Sequence, residues 1–237
     1  MEDFSDVIAW RGIVTVVLIA LVVTAVPAGA QVADGEHPER RGPERWEGEI
    51  AAIERRFAAR ATPQADVVFV GSSSIRRWNV TASFPGLDAV NHGFGGSHLE
   101  DAVHFFDRVV APAMPRIVVL YAGDNDINDG RSPEAVSDDF ARFLARVDLE
   151  VPSCERVIWV SIKPSIKRWR LRDSIREANE RVRRTCAAHP KAEYADIWTP
   201  SLDEAGLPRR ELLADDDLHL SAAGYALWAE VVGPLLR

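Results

Sequence analysis

Two patterns of apolar and polar positions alternate along the chain. Val67–Val70, Ile117–Tyr121 and Val157–Ile162 are runs of consecutive aliphatic or aromatic residues, as expected of strands covered on both faces. Shorter runs near Ala89–Asn91 and Glu193–Asp196 add two more candidate strands. Between and around them, apolar residues recur at helical spacing. Trp46, Ile50, Ile53 and Phe57 make one such face behind Pro43. Ser132-Pro133 starts another with a cap and a first-turn proline. Leu171, Ile175, Ala178 and Val182 stripe a third, and Ser221 caps a last helix that turns Tyr225, Trp228 and Val232 inward. This alternation predicts a three-layer α/β/α sandwich around a central, mostly parallel five-stranded sheet.

The N-terminus breaks the pattern. Ile13–Val26 is uncharged and mostly aliphatic, Arg11 precedes it, and Ala28 and Ala30 stand before Gln31. Residues 1–30 therefore read as a secretory signal peptide with an Ala-x-Ala cleavage site. Glu2, Asp3 and Asp6 depart from a basic leader, and the uncharged span from Gly12 to Ala30 can just cross a bilayer as an uncleaved anchor. The expectation is export, periplasmic or secreted, or membrane association through residues 13–26 if the leader stays on. Residues 31–42 are polar and rich in Pro, Gly and charge, a flexible spacer. Residues 43–237 form the α/β domain.

Composition narrows the choices further. The 237 residues are 47% hydrophobic and 27% charged, enough for one large core. A net charge of −8 without a long basic stripe argues against nucleic acid as a partner. Lys163 to Arg184 is rich in base, but Glu177 faces Arg181 and Glu180 faces Arg184 at i,i+4, which suits a solvated helix. Cys154 and Cys186 are the only cysteines, and an exported chain could carry them as one disulfide or as two thiols.

In folds of this class ligands sit beyond the carboxyl ends of the strands. Four polar, mostly glycine-bearing segments fall there: Gly71-Ser72-Ser73-Ser74, Asn91–Ser97, Gly123-Asp124-Asn125-Asp126 and Asp215–His219. A serine opening a helix after a strand can attack a carbonyl only with a base nearby. Asp216-x-x-His219 supplies one, because a carboxylate three residues away can hold the imidazole in the tautomer whose other nitrogen accepts a proton. Gly96 N–H, the Asn125 amide and the serine's own N–H are candidate donors to a tetrahedral oxyanion.

These four segments resemble the marks of the SGNH hydrolases, also called GDSL esterases and lipases, over about Val67 to Leu235. Laid on the family's Phe-x-Gly-Asp-Ser, "FVGSSS" puts Ser73 at the nucleophile and Ser72 where the family has aspartate. Gly96 matches the oxyanion glycine, Asn125 the asparagine of Gly-x-Asn-Asp, and Asp216 and His219 the Asp-x-x-His pair. The resemblance implies a flavodoxin-like fold, a catalytic triad of Ser73, His219 and Asp216, and an oxyanion hole of Ser73, Gly96 and Asn125. It also implies an acyl-enzyme route for a small ester substrate: an acetylated carbohydrate, a lysophospholipid or a short-chain acyl ester.

Around that core, Trp78, Phe94 and Trp169 are candidates for substrate binding, Trp169 foremost because it lies in the polar "KPSIKRWR" segment. His92, His98 and His104 have no zinc-like spacing and are expected at the surface or supporting the site. Asp124 and Asp126 are expected to be structural or solvated. No metal and no cofactor is needed for this chemistry. Two rivals stay open: an O-acyltransferase using the same site, and a non-catalytic carbohydrate- or lipid-binding protein on the same fold. Dinucleotide binding through "GFGGSH" fails, since His98 stands where a third glycine belongs, and the Gly-x-Ser-x-Gly elbow of α/β-hydrolases is absent.

Overall fold

A computed structural model describes residues Gly42–Arg237. The expected signal peptide or anchor over residues 1–30, and all of the spacer but Gly42, lie outside the described residues. Five strands, β1 (Val67–Gly71), β2 (Ala89–Gly93), β3 (Ile117–Tyr121), β4 (Arg156–Val160) and β5 (Ala192–Ala195), form one sheet in the order β2-β1-β3-β4-β5. Every pairing is parallel. The helices are α1 (Glu47–Ala58), α2 (Ser73–Arg76), α3 (Val80–Ser83), α4 (Leu99–His104), α5 (Phe106–Val109), α6 (Asp124–Asn128), α7 (Pro133–Glu150), α8 (Arg172–Ala188) and α9 (Ala222–Val232). Among the described residues no helix is long and apolar enough to cross a membrane.

Consecutive apolar residues on the strands are needed because successive side chains enter different cores. Val68, Val70, Val118, Leu120, Val157 and Trp159 point into a core with residues of α1, α4, α5, α7 and α8. Their neighbours Val67, Phe69, Ile117, Val119, Tyr121, Ile158 and Val160 enter a second core with Trp78, Trp228 and Val232. Each such side chain contributes about 1.5–3 kcal/mol when fully buried. Ser132 and Ser221 cap α7 and α9 through their hydroxyls, as their positions before the apolar stripes predict.

Several polar residues lie deeper than expected. Cys154 and Cys186 are buried free thiols, and burial pushes them up to about 11 and about 12. Lys163 is buried, although the rest of its basic stretch is largely exposed, with Glu177–Arg181 and Glu180–Arg184 paired at 2.9 and 3.3 Å. His92 belongs to the core rather than the surface. Its Nδ1 lies 2.7 Å from the Val109 carbonyl, to which it donates, and its ring meets Phe57 edge-on. Burial lowers His92 from 6.5 to about 4.

That shift has a consequence for stability. Between about pH 4 and 6.5 the unfolded chain binds a proton at residue 92 that the native state refuses, so stability rises with pH through that window. The contribution is fully present above 6.5 and is lost as pH falls toward 4, an effect of about 3 kcal/mol. His92→Asn keeps a donor near the Val109 carbonyl but cannot titrate. Urea unfolding of both proteins at pH 7.5 and 4.5 should show the wild type losing about 3 kcal/mol more than the variant. Equal losses would show that His92 does not carry the effect.

Candidate active site

Strand register brings the polar segments to one rim. Gly71 at the end of β1 pairs with Gly93 of β2 on one side and with Tyr121 of β3 on the other. The residues that follow these three strands therefore leave the sheet at the same level. The order β2-β1-β3 also makes the gap between β1 and β3 the point where successive connections diverge to opposite sides, a natural crevice for a ligand. Ser73 follows β1 and Asn125 follows β3, so they flank that crevice.

Gly71 shapes the turn into α2. Its φ is +133°, and a Cβ there would sit 1.9 Å from the Tyr121 carbonyl oxygen, so no other residue fits. That carbonyl instead accepts from Ser72 N–H at 3.0 Å, and the Gly71 carbonyl accepts from Phe94 N–H at 2.9 Å. The three strand ends are thus stitched together just below Ser73. Of the three serines, Ser72 and Ser74 are buried, whereas Ser73 is half-buried at the first position of α2. Only Ser73 meets a base: its Oγ lies 3.0 Å from His219 Nε2.

His219 reaches β1 from far across the sheet. The segment after β5 returns over the rim and closes a tight turn, with Ala214 N–H bonded to the His219 carbonyl and Asp217 in a left-handed conformation at φ 57°. Asp216 organises this turn from within. Its Oδ1 accepts from Leu218 N–H and His219 N–H at 3.1 and 2.9 Å, while Oδ2 lies 2.5 Å from His219 Nδ1. The His219 ring and these backbone amides hold the Asp216 carboxyl well below the usual carboxylate range. With the proton on Nδ1, Nε2 is an acceptor and the Ser73 hydroxyl donates to it. Tyr225 on α9 donates to the Ser74 carbonyl at 2.9 Å and so ties the helix that follows His219 to α2.

The donor side is built from the segments after β2 and β3. Gly96 has φ +73° and is exposed, and no hydrogen bond among the described residues uses its N–H. The preceding amide, Gly95 N–H, is taken by Glu49 of α1 at 3.0 Å. Asn125 is buried, with Nδ2 2.9 Å from the Ser97 carbonyl and Oδ1 accepting from Arg168 Nη2 at 2.9 Å. Its second amide hydrogen makes no hydrogen bond among the described residues. Asp126 joins the two segments: its carboxylate accepts from Gly123 N–H and from Leu99 N–H, both at 3.1 Å. Burial raises Asp126 to about 6. Asp124 and Asp126 are therefore buried structural carboxylates, and His98, also buried, pairs with Asp129 at 2.8 Å below the same rim.

The aromatic candidates divide. Trp78 is 2% exposed and locked among Phe69, Tyr225 and Trp228, with its indole N–H on Ser83; it is a core residue, not part of a substrate site. Phe94 is fully buried between Trp46 and Phe105 and is likewise core. Trp169 keeps part of its surface, stacking on Trp198 at 6.1 Å with Arg172 over the ring. Glu49 and Arg168 are site-building residues that sequence patterns do not flag. Their partners Gly95 and Asn125 lie 46 and 43 residues away, so no local spacing announces them.

Ser72 tests the alignment directly. Its Oγ is buried with no hydrogen-bond partner among the described residues. Ser72→Ala should keep kcat within about twofold and leave stability unchanged or up to about 1 kcal/mol higher, since an unsatisfied buried hydroxyl is removed. Steady-state kinetics and a melting curve check this; a loss near that expected for a nucleophile would move the chemistry to residue 72.

Comparisons with known proteins bear on the family and the fold. Residues 70–227 match the GDSL-like lipase/acylhydrolase family. The platelet-activating factor acetylhydrolase IB subunit alpha1 of Homo sapiens is 28% identical over 186 residues, covering 76% of this chain and 79% of that protein. A GDSL-like lipase from Bacteroides thetaiotaomicron superposes with a TM-score of 0.66 at 20% identity, covering 82% of this chain and 97% of the other. An acetylxylan esterase from Geobacillus stearothermophilus gives 0.57 at 15% identity, over 73% and 94% of the two chains. The all-parallel sheet, the four polar segments meeting at its rim and the match over two thirds of the sequence lead to one assignment: the chain belongs to the GDSL-like lipase/acylhydrolase family and is an ester hydrolase.

Proposed function

We propose that the protein hydrolyses short-chain carboxylic esters through an acyl-enzyme on Ser73. The observation that carries this reading is the relay from Ser73 Oγ through His219 to Asp216, with contacts of 3.0 and 2.5 Å. His219 Nε2 takes the hydroxyl proton as Oγ attacks the ester carbonyl, and Asp216 stabilises the imidazolium that forms. Ser73 N–H, Gly96 N–H and the second Asn125 amide hydrogen receive the oxyanion. The imidazolium then gives its proton to the departing alkoxide, leaving the acyl group on Oγ. Water enters, His219 removes its proton, and collapse of the second tetrahedral intermediate frees the acid and restores the serine.

Two observations favour a small acyl group. Trp78 and Phe94, which could have walled a long acyl channel, are committed to the core. The human relative and the Geobacillus structure bear names that share an acetyl ester although their alcohols differ. Water as acceptor suits a half-buried serine beside an Asp216 side chain that is 39% exposed. A fluorophosphonate probe followed by peptide mapping should modify Ser73, and kcat/KM should fall about tenfold or more from p-nitrophenyl acetate to the octanoate. Labelling at another serine would remove the relay from the mechanism, and a preference for octanoate would remove the short-acyl reading.

A further inference from the structure

The amide of Asn125 can act on an oxyanion only if its NH2 end, not its oxygen, faces the crevice. A primary amide rotated by half a turn has nearly the same shape, so something must select the orientation. The Ser97 carbonyl selects it in part, by accepting from Nδ2. The remaining selection comes from the segment between β4 and α8.

That segment turns inward instead of lying on the surface. At its start, Ile162 N–H and the Ile162 carbonyl are bracketed by the Asn179 side chain of α8, at 2.7 and 2.9 Å. Further along, Lys167 N–H bonds to the Asp217 carbonyl at 3.1 Å, beside the turn that carries His219. Directly after the second anchor, Arg168 is drawn under the rim, with its side chain 11% exposed. One arm of its guanidinium, Nη1, forms an ion pair with Asp124 at 3.0 Å, and the other, Nη2, donates to Asn125 Oδ1 at 2.9 Å. Lys163 Nζ lies 3.5 Å from the same Asp124 oxygen. Asp124 thus holds the guanidinium beside Asn125, and the second arm fixes the orientation of the amide.

We infer that Arg168 is a positioning residue for ester hydrolysis, holding the Asn125 amide with its NH2 toward the oxyanion. The inference rests on the reading of Asn125 as an oxyanion donor. Its chemistry is specific to the fork: one arm is held beside a carboxylate by charge while the second donates to the adjacent amide oxygen. A bound cation on Oδ1 also draws electron density from the amide and makes its N–H a better donor. Among the described residues Arg168 makes no hydrogen bond to Ser73; it reaches the site through Asn125. Asp124 keeps Lys163 as a counter-ion when residue 168 is changed, so the carboxylate is not stranded.

The test is a double-mutant cycle with p-nitrophenyl acetate. Arg168→Met should lower kcat about 10- to 100-fold while KM stays within about threefold, because the loss falls on the transition state. In an Asn125→Ala background the same substitution should cause no further loss in kcat, since the amide it orients is gone. A merely structural role would lower activity in both backgrounds alike. Should Arg168→Met melt too low to assay, Arg168→Lys carries the same cycle: it keeps a cation beside Asp124 but has no second planar arm, and the same loss with the same absence of addition is expected. Full activity in the folded single variant, or losses that multiply in the double variant, would overturn the inference. Undiminished kcat in Asn125→Ala would overturn instead the donor role on which it rests.

Discussion

Ser73→Ala is expected to lower kcat for p-nitrophenyl acetate by about 10⁴-fold or more while leaving the fold intact. Among the described residues the hydroxyl makes one hydrogen bond, to His219, and it is only half-buried, so its removal costs about 1 kcal/mol at most in stability. A melting temperature within about 4 °C of wild type follows for a domain of this size. The same loss is expected from His219→Ala, and the pair together should be little worse than either alone, because nucleophile and base act as one unit. Residual catalysis in both variants measures what the backbone donors and Asn125 supply without a nucleophile. More than about 1% of wild-type kcat in purified Ser73→Ala would move the attack to another group.

The place of Ser73 beside His219 was legible in the sequence because the turn after β1 leaves little freedom. Gly71 is forced by the Tyr121 carbonyl, and the residue two places on then opens α2 at the crevice. Asp216 and His219 were legible for a similar reason: three residues on a turn is the distance a carboxylate needs to bond both a backbone N–H and the ring of the same histidine. The strands announced themselves through consecutive apolar residues, a direct product of two flanking helical layers.

What sequence could not resolve was burial of residues outside periodic elements. Trp78 and Phe94 follow polar, glycine-bearing turns, where an aromatic ring fits a pocket or a core equally well. Packing partners at distant positions, Trp228 for one and Trp46 for the other, decide the matter. Lys163 and Arg168 sit in a strongly basic stretch whose local composition signals solvent. A single acid 39 or more residues earlier, Asp124, pulls both inward, and no windowed reading of charge can see it. His92 is buried for the same kind of reason, since the distant Val109 carbonyl makes its burial tolerable.

Asp216→Asn should damage the enzyme more than Asp216→Ala does, although asparagine is the closer isostere. In the native turn Oδ1 is committed to the amides of Leu218 and His219, and Oδ2 faces His219 Nδ1. Asparagine must keep its oxygen on those two amides, because its NH2 would clash with their hydrogens. The NH2 therefore replaces Oδ2 and donates to Nδ1. That forces the imidazole proton onto Nε2, which then faces Ser73 as a donor and cannot take its proton. An aspartate-to-asparagine change in a serine triad costs about 10⁴-fold by this route. Alanine loses the orienting contact but leaves both tautomers accessible, so a decline of about 10²- to 10³-fold is expected there. Because Asp216 is held well below the usual carboxylate range, in the native enzyme it is ionised and able to orient the ring throughout pH 5 to 9. Rates of p-nitrophenyl acetate hydrolysis, with ¹⁵N shifts of the His219 ring to report the tautomer, check both halves. Asparagine matching or exceeding alanine in rate, or a ring that keeps its proton on Nδ1 in the asparagine variant, would show that Asp216 acts through its charge alone and not through the tautomer it imposes.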